Sequence, residues 1–467
     1  MHARVESTDP GSWGAETRAT LTLAWPMVLT NLSQMALSIT DALFLGWVGT
    51  VELAASTLGA NLFWAALAPV FGLALAAAPM CAQTRGRGRG FVRGMRRDLR
   101  AALWACAIAT PPVWVLLWHT QALLELMWID PGLAAPAADY VRAMMWGVPA
   151  FCAFIALRGF LSAEGRPGTA LAIAAAGVAL NVPLNAWLVF GGLGVPPLGV
   201  VGAGLASAIC NYAMLLGLLA LIAHDRRLRR FRLLGRFWRF DPARLKEVAT
   251  IGLPIAGAMA LEIAVFSTAA LAMGWMGAVP VAAHAIAVQV ASATFMIPWG
   301  VGQAATSRVG LFTGAGRPRA AARAGHVAVA LGAGVMALAA LVLLTAAGPI
   351  AWLFLDPRNE GAAETAALAA TLLGVAGLFQ LADGVQSVAA GALRGLKDTA
   401  VPMVVAGIGY WILGLPLGLV LAFPAGLGPL GIWIGLAAGL FLVAALLLRR
   451  WTRLSATGGL TPRRLRA

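Results

Sequence analysis

LAWPMVLTNLSQMALSITDALFLGWVG (23–49) and IGLPIAGAMALEIAVFSTAALAMGWMG (251–277) together decide the fold. Coiled as a helix rising about 1.5 Å per residue, each is long enough to cross a hydrocarbon layer of about 30 Å. They are also one segment written twice. Pro26 meets Pro254, Gln34 meets Glu262, and GWVG (46–49) meets GWMG (274–277) without a gap. The register continues outward. Ala54-Ala55 meets Ala282-Ala283, Gly86 and Gly88 meet Gly314 and Gly316, and Arg89 meets Arg317. Later, Leu157-Arg158-Gly159 corresponds to Leu393-Arg394-Gly395, LNVPLN (180–185) to LGLPLG (413–418), and PLG (197–199) to PLG (429–431). Internal repeats of this size mark transporter architectures.

The composition agrees with a membrane protein. Hydrophobic residues make up 60% and charged residues only 11%, with mean hydropathy +0.82. A soluble domain is about a quarter charged. Apolar stretches are expected to span near 19–46, 52–78, 100–120, 136–160, 168–190 and 199–223. A second set follows near 247–275, 279–306, 324–345, 364–392, 399–422 and 427–450. The expectation is an all-α polytopic protein with 12 transmembrane helices in two six-helix halves. These halves are 19–223 and 247–450, joined by a basic linker at 224–246 and flanked by a terminus at 1–18 and a basic tail at 451–467. Because six is even, the repeat is parallel, related by an axis along the membrane normal, and a central cavity is expected between the halves.

The net charge of +15 invites a nucleic-acid reading, but its distribution excludes one. Basic residues fill alternate gaps: RGRGRGFVRGMRRDLR (85–100), HDRRLRRFRLLGRFWR (224–239), GRPRAAAR (316–323) and the end of the chain. The intervening gaps carry little charge; the most charged, 355–360, has Asp356, Arg358 and Glu360 and is not basic. The positive-inside rule then places both termini in the cytoplasm, in a bacterial inner membrane. The first segment shows no cleavable signal pattern and is expected to remain in the membrane. The central linker is expected to be solvated and held near anionic headgroups. Four cysteines form no CxxC or Cys/His cluster, which implies neither a metal site nor a disulfide framework.

Ionisable residues at mid-membrane cost about 2.5–3.5 kcal/mol and normally face an interior. Three carboxylates stand out. Asp41 continues a polar stripe of Asn31, Gln34 and Ser38 at helical spacing. Glu262 stands among apolar residues at the repeat position of Gln34 and suits reversible proton uptake. Asp383 shares a helical face with Gln380 and Ser387, with small Gly384 and Gly391 nearby to admit a neighbour or a ligand. Asn181 and Asn185 flank Pro183, whose ring releases the carbonyl of Ala179. Two amide oxygens, that carbonyl and a nearby carboxylate would suit a hard cation such as Na⁺. Ser207 could add a hydroxyl, and His284 is the one histidine well inside an expected span. No P-loop, HExxH or GxSxG pattern is present, so the chain reads as no enzyme and its work as driven by an ion gradient.

Taken together, these motifs resemble the multidrug and toxic compound extrusion family, in particular its NorM-like branch. The resemblance rests on Pro26-x14-Asp41-x4-Gly46, on Gly252, Pro254 and Glu262, on VAAH (281–284), on LNVPLN, and on DGVQSVAAGALRGLKD (383–398). It covers nearly everything from Leu21 to Arg450. Ala285 and Gln289 depart from the usual pattern after VAAH. The resemblance implies export of small organic cations, drugs and dyes, in exchange for Na⁺ or H⁺, by alternating access in a monomer. It also implies ion-coupling roles for Asp41, Glu262 and Asp383, with Asn181 and Asn185 beside Asp41, so that Asp41, Asn181 and Asn185 are a candidate Na⁺ site. A lipid-linked sugar flippase of the same superfamily is the alternative; such proteins line their interior with basic residues.

Overall fold

The computed structural model describes residues 11–456 except 193, 234, 236, 359 and 360. Residues 1–10, the tail from 457 and Glu360 therefore lie outside the described residues. Among those described, twelve helices are long and apolar enough to cross a membrane. They are α1 (Trp13–Val48), α2 (Thr50–Gly86), α3 (Phe91–Trp118), α4 (Pro131–Ala163), α5 (Pro167–Phe190) and α6 (Gly199–His224). The second six are α7 (Pro242–Gly274), α8 (Ala278–Gly314), α9 (Pro318–Thr345), α10 (Ala362–Gly395), α11 (Ala400–Ala422) and α12 (Pro429–Ala456).

The repeat survives in helix register. α2 and α8 begin and end at positions that the sequence alignment pairs, Thr50 with Ala278 and Gly86 with Gly314. Short helices at Thr120–Leu126 and Ala347–Trp352 follow α3 and α9 within two residues of the same register, and hydropathy gave no sign of them. The register then shifts: Gly86 and Gly314 are 228 residues apart, whereas Leu157 and Leu393 are 236 apart, and the helix ends diverge after the Leu-Arg-Gly match. α4 continues about one further turn to Ala163, whereas α10 stops at Gly395.

The largest extensions beyond the apolar windows lie at basic ends. α2 runs on to Gly86 and α8 to Gly314, while α3 starts at Phe91. Hydropathy falls where the hydrocarbon layer ends, but the backbone hydrogen-bond ladder continues into polar surroundings.

The structure divides into two compact units that differ from the expected contiguous halves. One comprises residues 29–85 and 89–256, the other 1–28, 86–88 and 257–467. Thus the first part of α1 belongs with the later helices, where Ala24 and Met27 join a core containing Val265, Ala269 and Ala304. The opening part of α7 belongs with the earlier ones. Each division falls two residues past a helix-interior proline, Pro26 or Pro254. Proline removes one helical donor and crowds the preceding turn, so the helix can change direction there without ending.

Within the second unit, Glu16 is fully buried and receives Arg308 through both ends of its carboxylate, Nε to Oε1 at 2.9 Å and Nη2 to Oε2 at 2.6 Å. α12 presents Gly431, Gly435 and Gly439 at four-residue spacing to α11, where an added Cβ would strike the backbone of Leu421 and Ala422, of Gly418 and Gly414, and of Gly409 and Gly414 respectively. α11 itself takes a π-helical turn over Ile408–Gly414. Closely apposed glycines of this kind let two membrane helices pack backbone to backbone.

The connection between α6 and α7 is largely exposed but anchored at particular residues. Phe231 is fully buried, its ring 4.9 Å from that of Phe160 and 6.1 Å from that of Phe91. The apolar residues interleaved among the arginines supply this anchoring, and a count of charge alone conceals them. The ends of the connection are tied by ion pairs: Arg166 to Asp225, and Arg97 Nη2 to Asp241 at 2.7 Å. Glu164, beyond the end of α4, holds Arg85 at 2.7 Å and Arg230 at 3.4 Å. Burial pushes its carboxyl above the ordinary value, and the two arginines oppose that shift. Asp225 lies on the acidic side of its ordinary value, chiefly through the backbone N–H of Arg227 and then Arg166.

Candidate ion-coupling site

In the first unit, Asp41 is buried at 3% exposure and gathers donors from three other helices. Ser207 Oγ of α6 donates to Oδ2 at 2.5 Å. From α5, Asn185 Nδ2 donates to Oδ1 at 2.8 Å and Asn181 Nδ2 at 3.3 Å. Tyr140 of α4 supplies a further hydrogen bond. The expected grouping of Asp41, Asn181, Asn185 and Ser207 is therefore present as geometry, although the residues are far apart in sequence. The i, i+4 spacing of the two asparagines puts both amides on one face of α5. Both are fully buried, and the side-chain oxygen of each lacks a hydrogen-bond partner. A buried amide oxygen without a donor is costly. Here two of them adjoin a carboxylate, which is the donor set a hard cation takes.

The rest of the polar stripe does not converge on Asp41. Ser38 is exposed. Gln34 donates instead to Met214 Sδ at 3.8 Å. Asn31 accepts from Arg158 Nη1 at 2.9 Å. Two residues of this neighbourhood were missed as site residues in the sequence. Tyr140 sits in a polar-looking stretch of α4, and Arg158 served there only as a marker of the repeat. An arginine inside an apolar span was itself a sufficient signal. The deep ionisable residues are thus not all acidic.

In the second unit, Asp383 is buried at 5% exposure and lies within electrostatic reach of Glu262 on α7. Gln386 Nε2 donates to Asp383 Oδ1 at 3.4 Å. Tyr410, from the π-helical turn of α11, hydrogen-bonds Gln386 and lies within electrostatic reach of both acids. On the face of Asp383, Gln380 donates to Thr294 of α8, while Gln380 Oε1 and Ser387 Oγ are buried without partners. The small residues on α10 serve neighbouring helices. A Cβ on Gly384 would strike Met336 of α9, and one on Gly391 would strike Gly302 of α8. His284 stands apart from this pair: its Nδ1 accepts from Trp433 Nε1 at 3.2 Å, with the rings edge to face. All four cysteines are free and buried.

Two polar centres, one in each unit, are thus gathered from several spans around intramembrane carboxylates. The MatE family model matches residues 26–187 and 254–420, opening on the same two prolines, Pro26 and Pro254. A relative from Mesorhizobium japonicum, described as a probable multidrug resistance protein NorM, is 48% identical over 94% of each chain. A counterpart of the same description from Brucella suis is 42% identical, again over 94% of each. A variant of the Vibrio cholerae MATE transporter VcmN superposes with TM-score 0.86 at 17% identity, covering 96% of this chain and 99% of that one. The eukaryotic MATE transporter AtDTX14 superposes with TM-score 0.85 at 19% identity, over 95% and 98%. With its fold, its repeated match and its relatives in agreement, this multi-pass membrane protein belongs to the MatE family of transporters.

Proposed function

We propose that the protein exports small organic cations across the bacterial inner membrane in exchange for Na⁺ or H⁺, by alternating access. The observation that carries this reading is the burial of Asp41 and Asp383 inside the spans, each among polar groups from other helices and Asp383 within electrostatic reach of Glu262. Groups so expensive to bury are kept for ion or substrate handling. The names of the relatives support multidrug efflux as the physiological task.

The two centres suit different ions. The Asp41 group offers a carboxylate with two amide oxygens that lack donors, a set that fits Na⁺. Two carboxylates within reach of each other suit a proton, since neighbouring acids hold a shared proton readily. His284 remains outside this scheme because its ring nitrogen is engaged by Trp433. The flippase alternative gains nothing from the buried arginines. Arg158 is bonded to Asn31, and Arg394 lies over the ring of Trp299 at 5.2 Å.

The test is transport by the purified protein in sealed vesicles, with ΔpH and a Na⁺ gradient imposed separately. Efflux of a cationic dye driven by at least one gradient is expected. Glu262→Gln, Asp383→Asn and Asp41→Asn should each abolish it at unchanged protein level. Wild-type rates in all three variants would sink the ion-coupling assignment.

A further inference from the structure

We propose that the basic end of α3, together with the arm of the connection that leads into α7, forms a binding site for the headgroup of an anionic phospholipid. Arg100 and Trp104 of α3 line a surface cleft with Arg239, Phe240 and Asp241. The cleft is shallow, and Trp104 packs the arm against α3. Its indole Nε1 donates to the carbonyl of Phe237 at 3.0 Å, its ring stacks on Phe237 at 5.8 Å, and Phe240 meets it edge-on at 6.1 Å. The arm is thus fixed before any ligand arrives, which lowers the cost of binding.

The charge around the cleft is lopsided. Arg96, Arg97 and Arg239 all lie within electrostatic range of Arg100. Two carboxylates accompany them, and each already holds an arginine: Asp241 binds Arg97 at 2.7 Å, and Asp98 binds Arg244 and accepts from Thr84 Oγ1 at 2.5 Å. Five arginines against two acids leave a strong attraction for an anion. Basic pockets beside membrane helices attract anionic headgroups in this way.

The surroundings select a lipid over a free anion. Trp238 and Phe240 flank Arg239 and are 75% and 50% exposed. Large aromatic side chains left open beside arginines belong to the membrane–water interface, where glycerol and acyl chains cover the rings while the phosphate meets the cations. Inorganic phosphate would satisfy the arginines and leave both rings bare.

The full-length protein, delipidated in detergent, tests this by native mass spectrometry and by thermal unfolding. The probes are phosphatidylglycerol, phosphatidylcholine and inorganic phosphate. Phosphatidylglycerol should bind saturably and raise the unfolding temperature; the other two should do neither. Arg239→Gln, at an exposed position, should weaken that binding about fivefold, as expected for one interfacial arginine. Arg100→Gln should act in the same direction, and exposed Arg226→Gln, elsewhere on the connection, should leave binding unchanged. Equal effects of phosphate or phosphatidylcholine would overturn the proposal. So would an unaltered Arg239→Gln, or an equal loss in Arg226→Gln. The cleft includes none of Asp41, Glu262 or Asp383, so failure here leaves the ion-coupling reading intact.

Discussion

At the level of single residues, the two asparagines beside Asp41 can be ranked by their geometry. Asn185 reaches the carboxylate at 2.8 Å and Asn181 at 3.3 Å. A hydrogen bond to a charged group contributes about 1.5–3 kcal/mol, and less as it lengthens. Asn185→Ala should therefore weaken ion-driven efflux more than Asn181→Ala, with a loss of about tenfold or greater for the former. Dye efflux against imposed gradient measures the order; the reverse ranking would contradict the geometry. A second test concerns Arg308 and Glu16. Removing one partner of a buried ion pair strands a charge at a cost of about 3–5 kcal/mol, whereas replacing both with apolar residues can be neutral. Glu16→Leu alone should lower thermal stability clearly, and Glu16→Leu with Arg308→Met should recover much of it. Lack of recovery in the double variant would mean that Arg308 matters for its other contacts instead.

At the level of elements, glycine spacing sets how closely helices approach. Gly435 faces the backbone of Gly418 and Gly414, with no room for a Cβ. Gly374 of α10 has open space where its Cβ would be. Gly435→Leu should thus disrupt the α11–α12 contact, while Gly374→Leu, an identical change in hydropathy within another span, should be tolerated. Overpacking typically costs about 1–3 kcal/mol, and more where backbone must move. Detergent-solubilised yield and unfolding temperature of the two variants distinguish them. Hydropathy located all twelve spans because burial in lipid imposes a minimum apolar length on each. It could not locate the extensions of α2 and α8 at their basic ends, nor the short helices after α3 and α9, since those segments answer to backbone hydrogen bonding and local packing.

At the level of the whole molecule, the division at Val28 and Ala256 has a folding consequence. Each compact unit contains the opening segment of the first helix of the other half. Fragments cut within the connection, 1–232 and 233–467, should be unstable when expressed singly and recover transport when co-expressed. A stable fragment 1–232 on its own would argue that the exchanged segments contribute little. The orientation expected from the alternating basic gaps is open to a separate measurement. The four natural cysteines are buried, so background labelling should be low. Gly194→Cys should react with an impermeant reagent from outside the cell, and Arg232→Cys should not. Reaction of both from one side would refute the topology.

The sequence by itself determined the membrane class, the twelve spans, the repeat and the three intramembrane carboxylates. Each of these follows from local chemistry: apolar length, the cost of a charge in lipid, and alternation of basic gaps. The pairing of Asp41 with Asn181, Asn185 and Ser207 was also within reach, because few polar groups compete for one another inside a bilayer. Tertiary structure alone decided which members of the polar stripe face the site. A stripe at helical spacing fixes one side of α1, but the neighbours met along that side change from turn to turn. Ser38 is left exposed, Gln34 meets a thioether, and Asn31 meets Arg158. Tertiary structure also moved the boundary between the units into α1 and α7. A proline permits a helix to bend, but only packing against distant residues decides which core each side of the bend joins.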